Sequence, residues 1–410
     1  MLHALPSPSK TRLAIRLQPR AERAVKRGHP WVFDHGISSQ RQEGRSGDLA
    51  VIFDRDNRFL AIGLYDPRSP IRVRVLHHGS PMTIDAEWFA ARVRQAHERR
   101  ANLLGTDTSG FRLIHGENDR MPGLIVDRYG DNLVVKLYSA AWVPHLRSVL
   151  EGLIDLISPE RIILRLSRAV QKQAGELSGL FDGQLLHGPV LTGPVLFREN
   201  GLVFEADLLK GQKTGFFLDQ RENRARVGSR SAGRTVLNVF SYTGGFSLYA
   251  ARGRASAVTS LDLSGPALAA AERNFELNRH IASVAGAAHH LLRGDAFDLL
   301  RELGRDRQRF DVVILDPPSF AKSQGEIEGA IRSYQKLTRL GVDVLASGGL
   351  LVAASCSSRV SEDAFVDAVI GAAQKAGRPL RVIEQTGHAL DHPILIPEAA
   401  YLKCIFAEVE

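Results

Sequence analysis

The most specific chemistry in this sequence lies in Asp316-Pro317-Pro318-Ser319-Phe320 and in the later Cys356. Two prolines after the apolar run FDVVIL fix an extended turn with no free N–H, which holds the Asp316 carboxylate and the neighbouring carbonyls at a strand tip. A strand merely ended by prolines explains the prolines but not the acid or the aromatic. Such a turn suits the amino group or ring nitrogen of a nucleic-acid base. Cys356 closes the next apolar run, in Ala354-Ser355-Cys356-Ser357-Ser358. A free cysteine is usually a small buried hydrophobe, and Cys404, inside YLKCIFAEV and away from any motif, is read in that way. Parallel neighbouring strands would instead set Cys356 beside the Asp316 turn, where a thiol has a definite use. Carbon 5 of a pyrimidine is too weak a nucleophile to take a methyl group directly. Attack of a thiolate on carbon 6 makes carbon 5 enamine-like, and after methylation a base removes the carbon-5 proton and the thiol leaves. The thiol needs a lowered pKa or a base to act, and Asp316 would stabilise the polarised ring.

A series of strand-end residues surrounds this pair. Asn238-Val239-Phe240-Ser241-Tyr242-Thr243-Gly244-Gly245-Phe246 follows one apolar run, and its paired glycines allow close approach of the backbone to a ligand. Asp262 ends the next run about 20 residues downstream, the spacing at which a carboxylate meets ribose hydroxyls. Asp295 follows the third run and Asp316 the fourth. An Asp after a strand is often only a helix cap, a reading that holds equally for Asp295, so the conjunction of three carries the functional reading. The turn lacks G-x-G-x-x-G, which disfavours NAD(P) and favours a nucleoside cofactor without pyrophosphate. S-adenosylmethionine (SAM) is such a cofactor, with Asp295-Ala296-Phe297 set against its adenine.

These residues need a sheet to present them. From Thr235, apolar runs bounded by turns alternate with amphipathic helices through to YLKCIFAEV, the pattern of a doubly wound, mainly parallel α/β sheet that is Rossmann-like and binds ligands at its carboxyl edge. The chain before it reads as two smaller pieces. LAIRL, GDLAVIF, FLAIGLY and IRVRVL form a small β-barrel over residues 1–82. Asp85 then caps a helix closed by Gly105, opening a small α+β domain over 83–195 with a hairpin at Tyr129-Gly130-Asp131-Asn132. A second hairpin turning at Asn200-Gly201 begins the catalytic region, 196–410. The Arg92, Arg94, Arg99 and Arg100 face of the Asp85 helix is expected to be solvated, and Trp31 to be core.

Composition is that of a globular protein, 44% hydrophobic and 24% charged, and 410 residues suit two or three domains at roughly 150 residues each. The net charge of +8 favours a polyanionic partner. Lys10, Arg12, Arg16, Arg20, Arg23, Lys26 and Arg27, with only Glu22 among them, form a basic N-terminal region suited to phosphate. Two cysteines exclude a disulfide framework or an all-cysteine zinc site, and no metal is expected. No apolar run approaches the roughly 18 residues of a membrane span, and Met1 to Lys10 has no signal-peptide core, which predicts a cytoplasmic protein.

Taken together, the motifs resemble the bacterial 23S ribosomal RNA large subunit methyltransferase I (RlmI-type) family of cytosine-5 methyltransferases, over nearly the whole chain. Gly28-His29-Pro30-Trp31-Val32-Phe33 and the strands after it are similar to that family's PUA domain, an RNA-binding barrel. Glu117 to Asp127 (ENDRMPGLIVD) is similar to its linking α+β domain, and Lys213 to Asn223 (KTGFFLDQREN) to the segment before its SAM domain. The resemblance implies SAM as cofactor, held by Phe217, Asp219, Gln220, Arg221, Tyr242, Thr243, Gly244, Asp262, Ser264, Asp295, Ala296, Asp316 and Pro317. It implies Cys356 as nucleophile with Asp316 in support, 23S ribosomal RNA or a large-subunit precursor as partner, and admits a homodimer. A helix cap at Asp219 is compatible with its cofactor role. Many other cytosine-5 enzymes carry a second cysteine where this chain has Asp316-Pro317-Pro318, and uracil-5 enzymes also pair an Asp-Pro-Pro turn with a later cysteine. Uracil carbon 5, a base nitrogen with Cys356 as bystander, and a non-catalytic RNA-binding role therefore stand as alternatives.

Overall fold

The computed structural model describes residues 5–321 and 323–410, so the start of the Met1 to Lys10 segment lies outside the described residues. The chain forms two compact units. The first runs to Gly201 and takes in Ala206–Leu218 and Asp391–Ile396; the second comprises Leu202–Glu205, Asp219–Leu390 and Pro397–Glu410. Among the described residues no helix is long and apolar enough to cross a membrane.

The first unit opens with a six-stranded sheet built from Arg12–Leu17, Trp31–Phe33, Ile37–Gln40, Leu49–Phe53, Phe59–Tyr65 and Ile71–His78. Alternation along Arg12–Leu17 buries Leu13, Ile15 and Leu17 while Arg12, Ala14 and Arg16 lie on the opposite, less buried face, as a period of two requires. The basic N-terminal region is thus ordered, as this strand and the helix Pro19–Lys26. A five-stranded sheet follows, Gly110–His115, Leu124–Tyr129, Asn132–Leu137, Arg161–Leu166 and Leu185–His187, each paired with its neighbour in sequence. The expected hairpin turns at Gly130-Asp131, with Tyr129 paired to Asn132. One apolar cluster runs from Leu49, Ile62 and Leu64 through Phe89 and Val93 to Leu133 and Leu164, so residues on both sides of position 82 share a core.

Two expectations fail here. The helix capped by Asp85, whose side chain accepts the Trp88 N–H at 2.9 Å, ends at Glu98. Arg100, expected on a solvated face, is 1% exposed. Its Nε donates to the Arg112 carbonyl, its Nη1 to the Ala96 carbonyl and Asp119 Oδ1, and its Nη2 to Asp119 Oδ2 and the Asp391 carbonyl. The helical period put Arg100 outside, but the helix breaks before it and buried acceptors collect it. Trp31 is half-buried rather than core, because its indole N–H reaches Glu117 Oε1 at 2.8 Å and its ring lies between His29 and Phe33.

The second unit is a seven-stranded sheet: β1 (Thr235–Val239), β2 (Ala257–Asp262), β3 (Ala288–Arg293), β4 (Phe310–Leu315), β5 (Leu345–Ser355), β6 (Leu380–Thr386) and β7 (Lys403–Val409), in the order β3-β2-β1-β4-β5-β7-β6. The first five strands are parallel, and β7 runs antiparallel between β5 and β6. Val236, Leu237, Val312, Val313, Leu350 and Leu351 are fully buried, as expected of strands covered on both faces. Strand order reverses between β1 and β4, and the loops after them open at that switch point.

His289 on β3 has its ring 3.7 Å from that of Phe275, and burial depresses its pKa to about 4. Because the unfolded chain takes up the proton near 6.5, this group contributes stability at pH 7 that is lost as the pH falls from 6.5 towards 4. We expect acidification from pH 7 to 5 to lower the unfolding free energy of the second unit by up to about 2 kcal/mol through this residue. His289→Phe should flatten that part of the profile in urea unfolding at each pH.

Candidate active site

The chain leaves β1 through three residues of left-handed backbone, the strained Phe240 (φ 61°) and Tyr242 (φ 47°) and the unstrained Gly244 (φ 76°), before the helix Gly245–Arg252. A Cβ on Gly244 would stand 2.8 Å from Ala271 Cβ on the helix Gly265–Leu277, so position 244 requires glycine for both its dihedral and its packing. Asp262, at the tip of β2, ties two loops together: its Oδ2 accepts the Tyr242 N–H and its Oδ1 the Ser264 N–H, each at 2.8 Å. Ser264 caps the next helix by accepting from the Ala267 N–H. Asp295 caps the helix Ala296–Arg305 through Oδ1, at 2.9 Å from the Phe297 nitrogen, and is exposed. For Asp295 the cap is present; a second role would fall to its remaining oxygen. Ala296 beneath it is buried.

Buried polar atoms without protein partners mark the same sheet edge. Asn238 Oδ1, Ser241 Oγ and Thr243 Oγ1 accept or donate no hydrogen bond among the described residues. Buried polar atoms are normally paired, and three on one strand end and its loop fit a ligand with polar groups. The glycine cradle, the Asp262 carboxylate and these three atoms together suit a nucleoside that carries an amino acid, such as SAM.

The Asp316 turn is anchored from a distance in sequence. Gln220 Nε2 donates to Asp316 Oδ1 at 3.1 Å, Asn223 Nδ2 donates to Gln220 Oε1 at 2.7 Å, and Thr386 Oγ1 donates to Asn223 Oδ1 at 2.6 Å. Gln220 and Asn223 are buried, so this relay sets the carboxylate. Arg221 begins the helix Arg221–Ser229 and pairs with Glu222 at 3.0 Å, while Asp219 Oδ2 accepts the Tyr401 hydroxyl at 2.8 Å. Phe217 belongs to the first unit, where the Lys213 ammonium stands 4.5 Å from its ring centre. Pro317 is buried after β4.

Leu315 on β4 is paired with Ala353 on β5, which brings the turn after β4 alongside the end of β5. Cys356 follows directly on Ser355, half-buried, and Cys404 is fully buried on β7. Burial also pushes the Cys404 thiol far up, which makes it inert. Tyr334, on the helix Ile327–Asp343, shares a 2.8 Å hydrogen bond with Ser355, and its charge interacts with those of Cys356 and Asp316; burial, the largest cause, pushes its phenol up to about 12. Phe320 packs on Tyr334 at 5.0 Å between ring centres and lies 6.5 Å from Phe297, forming an aromatic wall. The roles of Asn223, Thr386, Tyr334 and Lys403 escaped the sequence reading. Asn223 stands there only as the end of KTGFFLDQREN, and Lys403 left a signal as a lone cation inside the apolar run YLKCIFAEV. Among the described residues no cluster of three or more His, Cys, Asp or Glu is arranged to hold a metal ion.

Comparison with known proteins gives the same picture at the level of family. Residues 184–407 match the S-adenosylmethionine-dependent methyltransferase family, and residues 15–78 a PUA-like domain. A ribosomal RNA large subunit methyltransferase of Deinococcus radiodurans is 50% identical over 99% of both chains. A ribosomal RNA large subunit methyltransferase I of Pseudoalteromonas translucida is 37% identical over 97% of this chain and 99% of its own. Among solved structures, a Streptococcus mutans chain described as a SAM-dependent methyltransferase aligns with a TM-score of 0.80 at 24% identity, over 97% of this chain and 100% of its own, a likeness of fold.

Proposed function

We propose a reaction on the following premise: the chain belongs to the S-adenosylmethionine-dependent methyltransferases and, within them, to the ribosomal RNA large subunit methyltransferases. SAM is its cofactor. On that premise we infer that it forms 5-methylcytosine in bacterial 23S ribosomal RNA through a covalent adduct with Cys356. The observation that carries this reading is the placement of a half-buried thiol after β5, beside the Asp316 turn.

Tyr242, Thr243, Gly244, Asp262, Ser264, Asp295, Ala296 and Pro317 would hold the cofactor, with Asp219, Gln220 and Arg221 contributed by the preceding segment. When bound, SAM supplies an electrophilic methyl group on a sulfonium. The chain's own residues make the acceptor. The Cys356 thiolate bonds to carbon 6 of the pyrimidine, and the carbon 5–carbon 6 double bond yields its electrons to carbon 5. Asp316, held by Gln220, Asn223 and Thr386, binds the base edge and steadies the charge that develops on the ring. Loss of the carbon-5 proton to a base then expels the thiolate and restores the double bond. The aromatic wall of Phe297, Phe320 and Tyr334 shields this edge from water.

The decisive experiment is transfer of labelled methyl from SAM to unmodified bacterial large-subunit ribosomal RNA, followed by nucleoside identification. Label in 5-methylcytosine supports the reading, and label in 5-methyluridine moves the target to uracil. Label in a nitrogen-methylated base removes Cys356 from the chemistry. No label on naked RNA or on the assembled subunit, together with no SAM binding in calorimetry of the folded protein, would leave only RNA binding.

RNA contact is assigned to the basic N-terminal surface. Arg20, Arg23 and Arg27 are exposed and make no ion pair among the described residues, whereas Lys26 is neutralised by Glu22 at 2.7 Å and Asp54 at 3.5 Å. We expect the triple variant Arg20→Ala, Arg23→Ala, Arg27→Ala to weaken RNA binding with little dependence on sequence. It should also reduce the slope of log affinity against log salt by about one for each phosphate contact removed. An unchanged slope in filter binding would move the contact elsewhere.

A further inference from the structure

Lys403 is 7% exposed, and its ammonium donates to the Ser357 carbonyl at 2.6 Å and to the Val360 carbonyl. Among the described residues no carboxylate lies within ion-pairing distance of it, although burying an ammonium without an anion costs several kcal/mol. The two carbonyls accept two of its three hydrogens and leave its charge unbalanced. They also belong to the segment that leaves Cys356. In the antiparallel register of β5 and β7, Lys403 stands opposite Ser355, the residue before the cysteine.

We propose that Lys403 is a positioning residue for the nucleophile: its ammonium fixes the Ser357–Val360 segment and is the counter-cation of the Cys356 thiolate. This rests on the covalent reading of Cys356 given above. A resting thiol leaves the ammonium unbalanced, and loss of the thiol proton to solvent completes a pair, so the cost of burying Lys403 is recovered by favouring the thiolate. The groups that bear on this pair come from every strand and helix around it. Asp316 after β4 and Cys356 both act on Tyr334, whose phenol stays neutral across the working range, and Glu362 acts on the ammonium at longer range. Burial lowers the Lys403 pKa, while the charges of Glu362 and Cys356 raise it, in keeping with a cation held for an anion nearby.

The test reads the thiol without the methylation reaction. The rate of Cys356 alkylation by iodoacetamide, followed by peptide mass spectrometry against pH, gives the midpoint of thiolate formation; Cys404 is resolved as a separate peptide. We expect Lys403→Met to raise that midpoint by at least about one unit, an alkylation rate about tenfold lower at pH 7, and Lys403→Arg to restore most of it. Coincident profiles for the native protein and Lys403→Met would overturn the proposal. Should Lys403→Met fail to fold, the native protein is compared with its urea-unfolded chain: a native midpoint below the unfolded one supports the pair, and one at or above it overturns it. Nucleoside identification of the methylated product is kept apart from these readouts, so a nitrogen-methylated product alongside a shifted midpoint would refute the covalent reaction while leaving the Lys403–Cys356 pair standing.

Discussion

Cys356→Ala is expected to reduce methyl transfer to RNA by about 10³-fold or more, a barrier increase of at least about 4 kcal/mol, while leaving SAM affinity within about twofold. The size follows from what the thiolate supplies. Without addition at carbon 6, carbon 5 of cytosine is too weak a nucleophile to take the methyl group, and the buried, inert thiol of Cys404 does not substitute for that bond. Cys356→Ser should fare little better, because a hydroxyl is far harder to ionise than a thiol. The structural cost of either change is small: Cys356 is half-buried and follows the strand rather than sitting within its ladder. Single-turnover label transfer and SAM calorimetry on the same preparations separate the two effects. Turnover retained in Cys356→Ala would exclude covalent catalysis by this residue and direct attention to Asp316 acting on a base nitrogen.

What the sequence disclosed and what it concealed divide along the range of the interactions. The strands of the second unit were legible because each is an apolar run bounded by turn residues, and the strand-end series Asp262, Asp295, Asp316 and Cys356 followed once the runs were placed. The end of β5 was harder. The apolar run was expected to close at Cys356, but β5 spans Leu345–Ser355, which puts Cys356 one residue beyond the strand. Long-range polar order was invisible. Nothing in the spacing joins Gln220 and Asn223 to Asp316 or to Thr386, because that relay exists only when the helix Arg221–Ser229 is laid against β4 and β6. Arg100 was misread for a related reason: side-chain periodicity reports which face of a helix is apolar, and an arginine whose partners are carbonyls and a distant Asp119 leaves no periodic trace. Asp295 shows that local and functional readings need not compete, since one oxygen caps a helix while the other is not used by the cap.

The second large effect concerns stability and centres on Asp119. This carboxylate is 3% exposed; its Oδ1 accepts from Arg99 at 3.0 Å and Arg100 at 2.8 Å, and its Oδ2 from Arg100 at 2.7 Å and from the His115 N–H at 2.7 Å. The bidentate pairing leaves Arg100 with every N–H donor satisfied. Removing the anion does not simply delete an attraction. It strands a guanidinium that is 1% exposed together with a buried backbone N–H, and both retain their full desolvation cost. Asp119→Ala is therefore expected to destabilise the first unit by about 3–5 kcal/mol, enough to threaten its folding. Asp119→Asn, which keeps one acceptor oxygen but loses the charge, should cost less. The double variant Asp119→Leu, Arg100→Met removes both charges and should recover a large part of the loss, because the main penalty is the unpaired cation and not the missing pair. Urea unfolding of the three variants measures this directly. A double variant as unstable as Asp119→Ala would locate the stabilisation in the carbonyl and N–H contacts that bind the two side chains to the surrounding strands, rather than in the balance of their charges.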